Sequence, residues 1–137
     1  VQYIGADASK AASITASALA ANPDLAAIYT TMDAGAEGAA NALRAAGKQG
    51  KVRVIGFDAT LHQVELLKAG DLDALVAQST QDLGTQMVEM MVKVLKEGRD
   101  KAALPQQVFT PTKFLTRDNV DDPDSKRFIY NPDCSAS

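Results

Sequence analysis

Val52-Arg53-Val54-Ile55-Gly56-Phe57-Asp58-Ala59-Thr60 is the stretch on which the reading of the fold turns. Residues 52–57 form a nearly continuous apolar run. That suits a strand buried in a parallel sheet better than a half-solvated antiparallel strand, which would alternate. Asp58, Ala59 and Thr60 end the run, and a helical pattern over 61–69 follows, closed by Gly70. The same alternation repeats outward. Upstream, 25–31 reads as a strand, and Asp33 is placed to cap a helix over 34–46 that Gly47 stops at C′. Before it, a short strand over 1–4 ends at Gly5, and Asp7 caps a helix over 8–21 with Ile14, Ala18 and Leu19 on one face. Asn22-Pro23-Asp24 breaks that helix. Downstream, 72–78 is a strand. The longest helix, over 81–97, has Leu83, Met87, Met91, Val94 and Leu95 at helical spacing. A last extended run over 108–115 is broken by Pro111. From Arg117 to Ser137 the chain is polar and proline-punctuated, an irregular tail with one short helical turn, and its charges over 117–126 read as solvated. Strand and helix alternating about four times predict an α/β fold, a mostly parallel sheet with helices on both faces.

Composition narrows the function. The chain has 137 residues, a net charge of −3 and a pI near 5.0. A mildly acidic balance excludes a nucleic-acid platform, which needs clustered Lys and Arg to displace counterions from phosphates. No apolar run approaches the roughly 18–20 residues that span a bilayer. One cysteine, Cys134, cannot form an internal disulfide, and with one histidine, His62, it does not make a zinc site. The chain opens on Val1, without an initiator Met or a charged-then-apolar leader. The expectation is a processed form or a piece of something longer.

In such a fold, ligands collect beyond the carboxyl ends of the strands. Three strand ends carry polar groups there: Thr30-Thr31-Met32-Asp33, Phe57-Asp58-Ala59-Thr60 and Gln78-Ser79-Thr80-Gln81. A carboxylate accepts two O–H hydrogen bonds and an amide both donates and accepts, so one rim could hold a polyhydroxy ligand. Asp33 reads as a helix cap. Asp58 stands three residues before its helix, where capping is less natural, and functional and structural roles are evenly balanced. Gln78 alone reads as a solvated strand end. Nothing catalytic emerges: there is no Gly-x-Ser-x-Gly elbow and no Cys–His pairing. His62 reads as solvated. Ala34-Gly35-Ala36-Glu37-Gly38 lacks the spacing and lysine of a phosphate loop, so Gly35 and Gly38 read as close packing of helix on sheet. Met87, Met90 and Met91 read as core.

Taken together, Asn22 to Tyr29, Val54 to Thr60, and Gly38 to Gly47 resemble the C-terminal half of ribose-type (type I) periplasmic sugar-binding proteins. Ala77-Gln78, Gln81-Asp82-Leu83-Gly84, Pro111-Thr112, Leu115-Thr116 and Asn119-Val120-Asp121-Asp122-Pro123 extend the resemblance through the tail. It implies a partial type I fold from a two-lobed receptor about twice this length, which clamps a sugar in its cleft. Residues 1–78 would be second-lobe core, 79–104 a helix belonging to the first lobe, and 105–137 the return strand and tail. Asp58 would correspond to the aspartate that bonds sugar hydroxyls, and Gln78 to the hinge amide that does the same. Met32 stands where the family has an asparagine, and a thioether cannot replace an amide's donors.

The implied function is a periplasmic receptor for an ABC-type importer, binding a sugar or polyol without chemistry or cofactor and docking on a membrane permease. The alternative is the effector-binding part of a LacI-type transcription regulator, which shares the fold but needs an upstream DNA-binding head. A small α/β enzyme is disfavoured, since no acidic cluster or nucleophile assembles. The stripe Leu83, Met87, Met91, Val94 should not stay in water, because burying each such side chain is worth ~1.5–3 kcal/mol. A missing first lobe or a second copy should pack on the 81–97 helix, or that helix should repack.

Overall fold

The computed structural model describes residues 1–131. The elements run α1 (Ala8–Ala21), β1 (Ala27–Tyr29), α2 (Asp33–Ala45), β2 (Arg53–Phe57), α3 (Leu61–Ala69), β3 (Ala74–Gln78), α4 (Thr80–Leu95) and β4 (Thr112–Leu115). Short 3-10 turns occupy Lys101–Ala103 and Pro123–Phe128. The strands form one sheet in the order β1-β2-β3-β4. β1, β2 and β3 are mutually parallel, and β4 returns antiparallel to β3 with Gln78 opposite Thr112 and Leu75 opposite Leu115. The α/β class and the mostly parallel sheet therefore stand.

The core lies on one face of this sheet. Val54, Leu75, Ala77 and Leu115 point into it and meet Ala36, Ala39, Ala40 and Leu43 of α2 and Val64 and Leu67 of α3. Alanines on α2 let that helix settle close to the strands, so a core with few bulky side chains still closes. α1 packs on α2, with Ala11 and Thr15 buried and Leu19 reaching the core. On the opposite face Tyr29 and Phe114 are more than half exposed. Of the two helical layers expected, the described residues supply one.

The helix signals behave mostly as read. Asp7 caps α1 by accepting from the Lys10 N–H at 3.0 Å. Gly47 takes the left-handed conformation behind α2, at φ +61°. Asp33, by contrast, is the first residue of α2 rather than its cap; Met32 holds the N-cap position without a side-chain bond, and the Asp33 carboxylate accepts from the Ala34 N–H at 2.8 Å. Gly35 faces the end of β1, but Gly38 faces α1 rather than the sheet.

Two expectations are corrected, and one is refined. Residues 1–4 form no strand: no neighbour offers them a ladder among the described residues, and Gly5 and Ala6 both have positive φ. The charges over 117–126 are exposed, as read, but the tail that carries them is docked through its other residues. Val120, Ser125 and Phe128 are buried, and Lys68 and Lys113 pair with Asp121 and Asp124 at 2.5 and 2.6 Å. The methionine stripe is not core. α4 buries no residue, with Leu83 40%, Met87 54% and Met91 59% exposed. Cys134 lies outside the described residues.

A Cβ at Gly38 would stand 2.4 Å from the Ala8 carbonyl oxygen and 2.5 Å from the Ala11 Cβ. Alanine gains ~1 kcal/mol of helix propensity over glycine, but this contact would force α1 away from α2 at a cost of about 1–3 kcal/mol. Gly38→Ala is therefore expected to lower the urea midpoint. Gly84→Ala, in open space on α4, should leave it unchanged or raise it. A Gly38→Ala protein as stable as the parent would contradict this packing.

Candidate functional site

The ends of β1, β2 and β3 are adjacent, so the residues that follow them share one rim roughly 5 Å apart from strand to strand. Asp58 stands just past β2. Its N–H continues the ladder to the Val76 carbonyl at 3.0 Å, and its φ of +74° turns the chain sharply out of the sheet. That left-handed conformation is strained for most side chains but better tolerated by aspartate.

What frees Asp58 from structural duty is the residue pair behind it. Thr60 accepts from the Gln63 N–H at 3.2 Å while Gln63 accepts from the Thr60 N–H at 2.9 Å, a reciprocal capping box that opens α3. Gln63, fully buried, donates its remaining amide hydrogen-bonding capacity to the Phe57 carbonyl at 2.8 Å. The helix start is satisfied without the Asp58 carboxylate, in line with its spacing in the sequence.

Gln78, the last residue of β3, donates from Nε2 to Asp58 Oδ1 at 3.1 Å. Two of the three candidate residues are thus joined directly. Met32 shares the rim at the start of α2, half-buried, and makes no cap bond. No hydrogen bond connects it to the other two among the described residues.

The sequence did not reveal the third member of the cluster, Tyr130. Its hydroxyl donates to Asp58 Oδ1, and Gln78 Nε2 lies 3.4 Å from the same hydroxyl. The tail holds it in place: the Tyr130 N–H bonds the Ala59 carbonyl at 2.9 Å, and the neighbouring Phe128 is buried in the core. Burial pushes the Tyr130 phenol above its usual value, and the Asp58 carboxylate pushes it further. The phenol therefore stays a donor at neutral pH. A sequence signal existed in the apolar spacing of Val120, Phe128 and Ile129, which marks a docked segment within a polar tail.

Ser79 begins α4 beside this cluster. Its hydroxyl accepts from the Asp82 N–H at 3.3 Å, and Arg127 of the tail lies 3.6 Å from Asp82. His62 is exposed and, among the described residues, pairs with Glu65 across one helical turn. At the other end of the sheet a cleft of about 380 Å³ is lined by Arg53, Asp73, Phe114 and Arg117. The Arg53–Asp73 ion pair at 2.5 Å consumes much of its charge internally. No group of three or more potential metal ligands occurs among the described residues, and no described helix is long and apolar enough to cross a membrane.

Residues 1–100 match the sequence model of the periplasmic binding protein domain. The chain is 38% identical over 93 residues to the D-allose-binding periplasmic protein of Escherichia coli, a match covering 68% of this chain and 30% of that protein. It is 37% identical over 99 residues to the ribose import binding protein RbsB of Salmonella typhimurium, covering 72% and 33%. The chain thus spans about a third of the length of these relatives. Among solved structures, a solute-binding protein of an ABC transporter from Agrobacterium vitis with bound α-D-tagatopyranose superposes with a TM-score of 0.86 and 34% identity. The alignment covers 95% of this chain and 42% of that one. A second from the same organism, with bound D-fucose, gives 0.83 and 31% over 94% and 43%.

Proposed function

This chain belongs to the periplasmic binding protein domain family, and on that premise we propose that it forms part of a solute receptor for an ABC-type importer. In this reading the receptor works in the periplasm and holds a sugar or polyol without transforming it. The observation that carries the reading is the Gln78–Asp58 hydrogen bond at 3.1 Å. It sets a carboxylate and an amide side by side at adjacent strand ends, where ligands of parallel α/β sheets collect.

The chemistry suits hydroxyl donors. A carboxylate accepts O–H hydrogen bonds that are about twice as strong as neutral ones, and the amide fixes which way the carboxylate faces. Met32 supplies surface but no donor. The preferred ligand should therefore carry fewer polar groups on the side facing β1 than on the side facing β2 and β3. The named ligands of the relatives (allose, ribose, tagatose, fucose) set the class to be tried first. None of the relatives described above is a transcription regulator, and that alternative draws no support from them.

Residues 1–78 are assigned to a second lobe, 79–104 to a first lobe, and 105–137 to the return and tail. The exposed stripe on α4 supports this division, because burying Leu83, Met87 and Met91 against a first-lobe segment would recover ~1.5–3 kcal/mol each. Ligand binding between two lobes would favour their closed state by differential affinity, and the closed receptor would dock on its permease.

The test is isothermal titration of the full-length gene product with D-allose, D-ribose, D-tagatose and D-fucose. Asp58→Asn and Gln78→Ala are each expected to weaken the tightest of these by about 10- to 100-fold, the worth of one hydrogen bond to a charged group. Parent-like affinity in both variants would contradict the site. Hydrogen exchange checks the division of the chain: α4 amides should be strongly protected in the same full-length protein. Exchange at the rate of an exposed single helix would contradict a first-lobe cover.

A further inference from the structure

We infer that Tyr130 is a positioning residue of the ligand site, which makes the docked tail part of the binding apparatus rather than a mere chain end. The inference rests on the sugar-site reading above and adds a residue to it.

The geometry separates this role from simple packing. Val120 and Phe128 already bury the tail against the core, and the Tyr130 backbone is tied independently to the Ala59 carbonyl. The Tyr130 side chain itself is only half-buried, so the ring is not a core element. Its hydroxyl donates to Asp58 Oδ1, which also receives the Gln78 amide at 3.1 Å, and it accepts a longer contact of 3.4 Å from the same Gln78 Nε2. Among the described residues, Oδ2 of the same carboxylate receives no hydrogen bond, and Gln78 Oε1 accepts none within the cluster. Two donors on one oxygen thus fix the carboxylate's rotation and leave the other oxygen for a ligand hydroxyl.

The consequence is pre-organisation. Asp58 sits on a sharp turn and, among the described residues, its side chain takes part in no hydrogen bond other than these two, so without the phenol it would be held by one long side chain at the end of β3. Binding would then have to immobilise it, which lowers affinity by roughly 3- to 10-fold for one freed side chain. The raised Tyr130 phenol value is consistent with a donor that keeps its proton across the neutral range.

A double-mutant cycle on the full-length gene product tests this, using the tightest-binding member of the panel D-allose, D-ribose, D-tagatose and D-fucose. Tyr130→Phe keeps the ring and the tail packing and removes only the hydroxyl. It should weaken binding roughly 3- to 10-fold. Combined with Asp58→Asn it should add nothing, because Tyr130 acts through that carboxylate. A residue that served packing alone would lower the unfolding temperature, and its effect on affinity would multiply with that of Asp58→Asn. Such multiplication, or parent-like binding by Tyr130→Phe while Asp58→Asn still binds weakly, overturns the role of Tyr130 and leaves the site intact. Parent-like binding by Asp58→Asn, or no binding of any sugar in the panel, overturns the site reading and this role with it.

Discussion

The antiparallel pairing of β4 on β3 is the constraint on which the arrangement depends. The chain leaves the sheet at Gln78, runs through α4, and comes back at Thr112 directly opposite the residue from which it left. Leu115, fully buried against Leu75, pins the return. A parallel strand at this edge would have delivered the following segment to the same rim as β3. The antiparallel one delivers it to the other end of the sheet. The tail must therefore travel back along α3, which the Lys68–Asp121 pair and the buried Val120 and Phe128 record. It arrives at the carboxyl rim with Tyr130 against Asp58.

Asp58 itself is available because its neighbours satisfy the backbone without it. The Thr60–Gln63 capping box closes the start of α3, and Gln63 also holds the Phe57 carbonyl. A carboxylate spared from capping, at a strained turn, with an amide on the next strand and a phenol from the tail, is a polar group prepared for something outside the chain. That logic is local. It needs no ligand to be seen, only an account of which hydrogen bonds are already spoken for.

Much of this was legible in the residues. The apolar run over 52–57, the cap at Asp7 and the stops at Gly47 and Gly70 are short-range signals, and short-range physics fixes them; the Thr60–Gln63 capping box was not read from the sequence. Asp58 stood three residues before its helix, where capping is less natural, which left functional and structural roles evenly balanced until the structure showed the Thr60–Gln63 box. Asp33 was misread, since the helix begins one residue earlier and takes it into the first turn. The strand expected over 1–4 failed for a different reason: β propensity needs a neighbouring ladder, and sequence alone does not say whether one is present. Tyr130 was hidden because it is 72 residues from Asp58, and only the path of the tail brings the two together. The stripe on α4 was legible as an apolar face. What covers it is a property of the surroundings and not of the helix.

The central claim is that Asp58 and Gln78 hold a sugar at the strand ends. The most direct measurement is a crystal structure of the full-length gene product grown with the tightest-binding sugar of the panel. The account predicts a sugar hydroxyl within hydrogen-bonding distance of the Asp58 carboxylate, the Gln78 amide beside it, and Tyr130 still bonded to the same carboxylate. A sugar bound elsewhere, with the Asp58–Gln78 pair untouched, would contradict it.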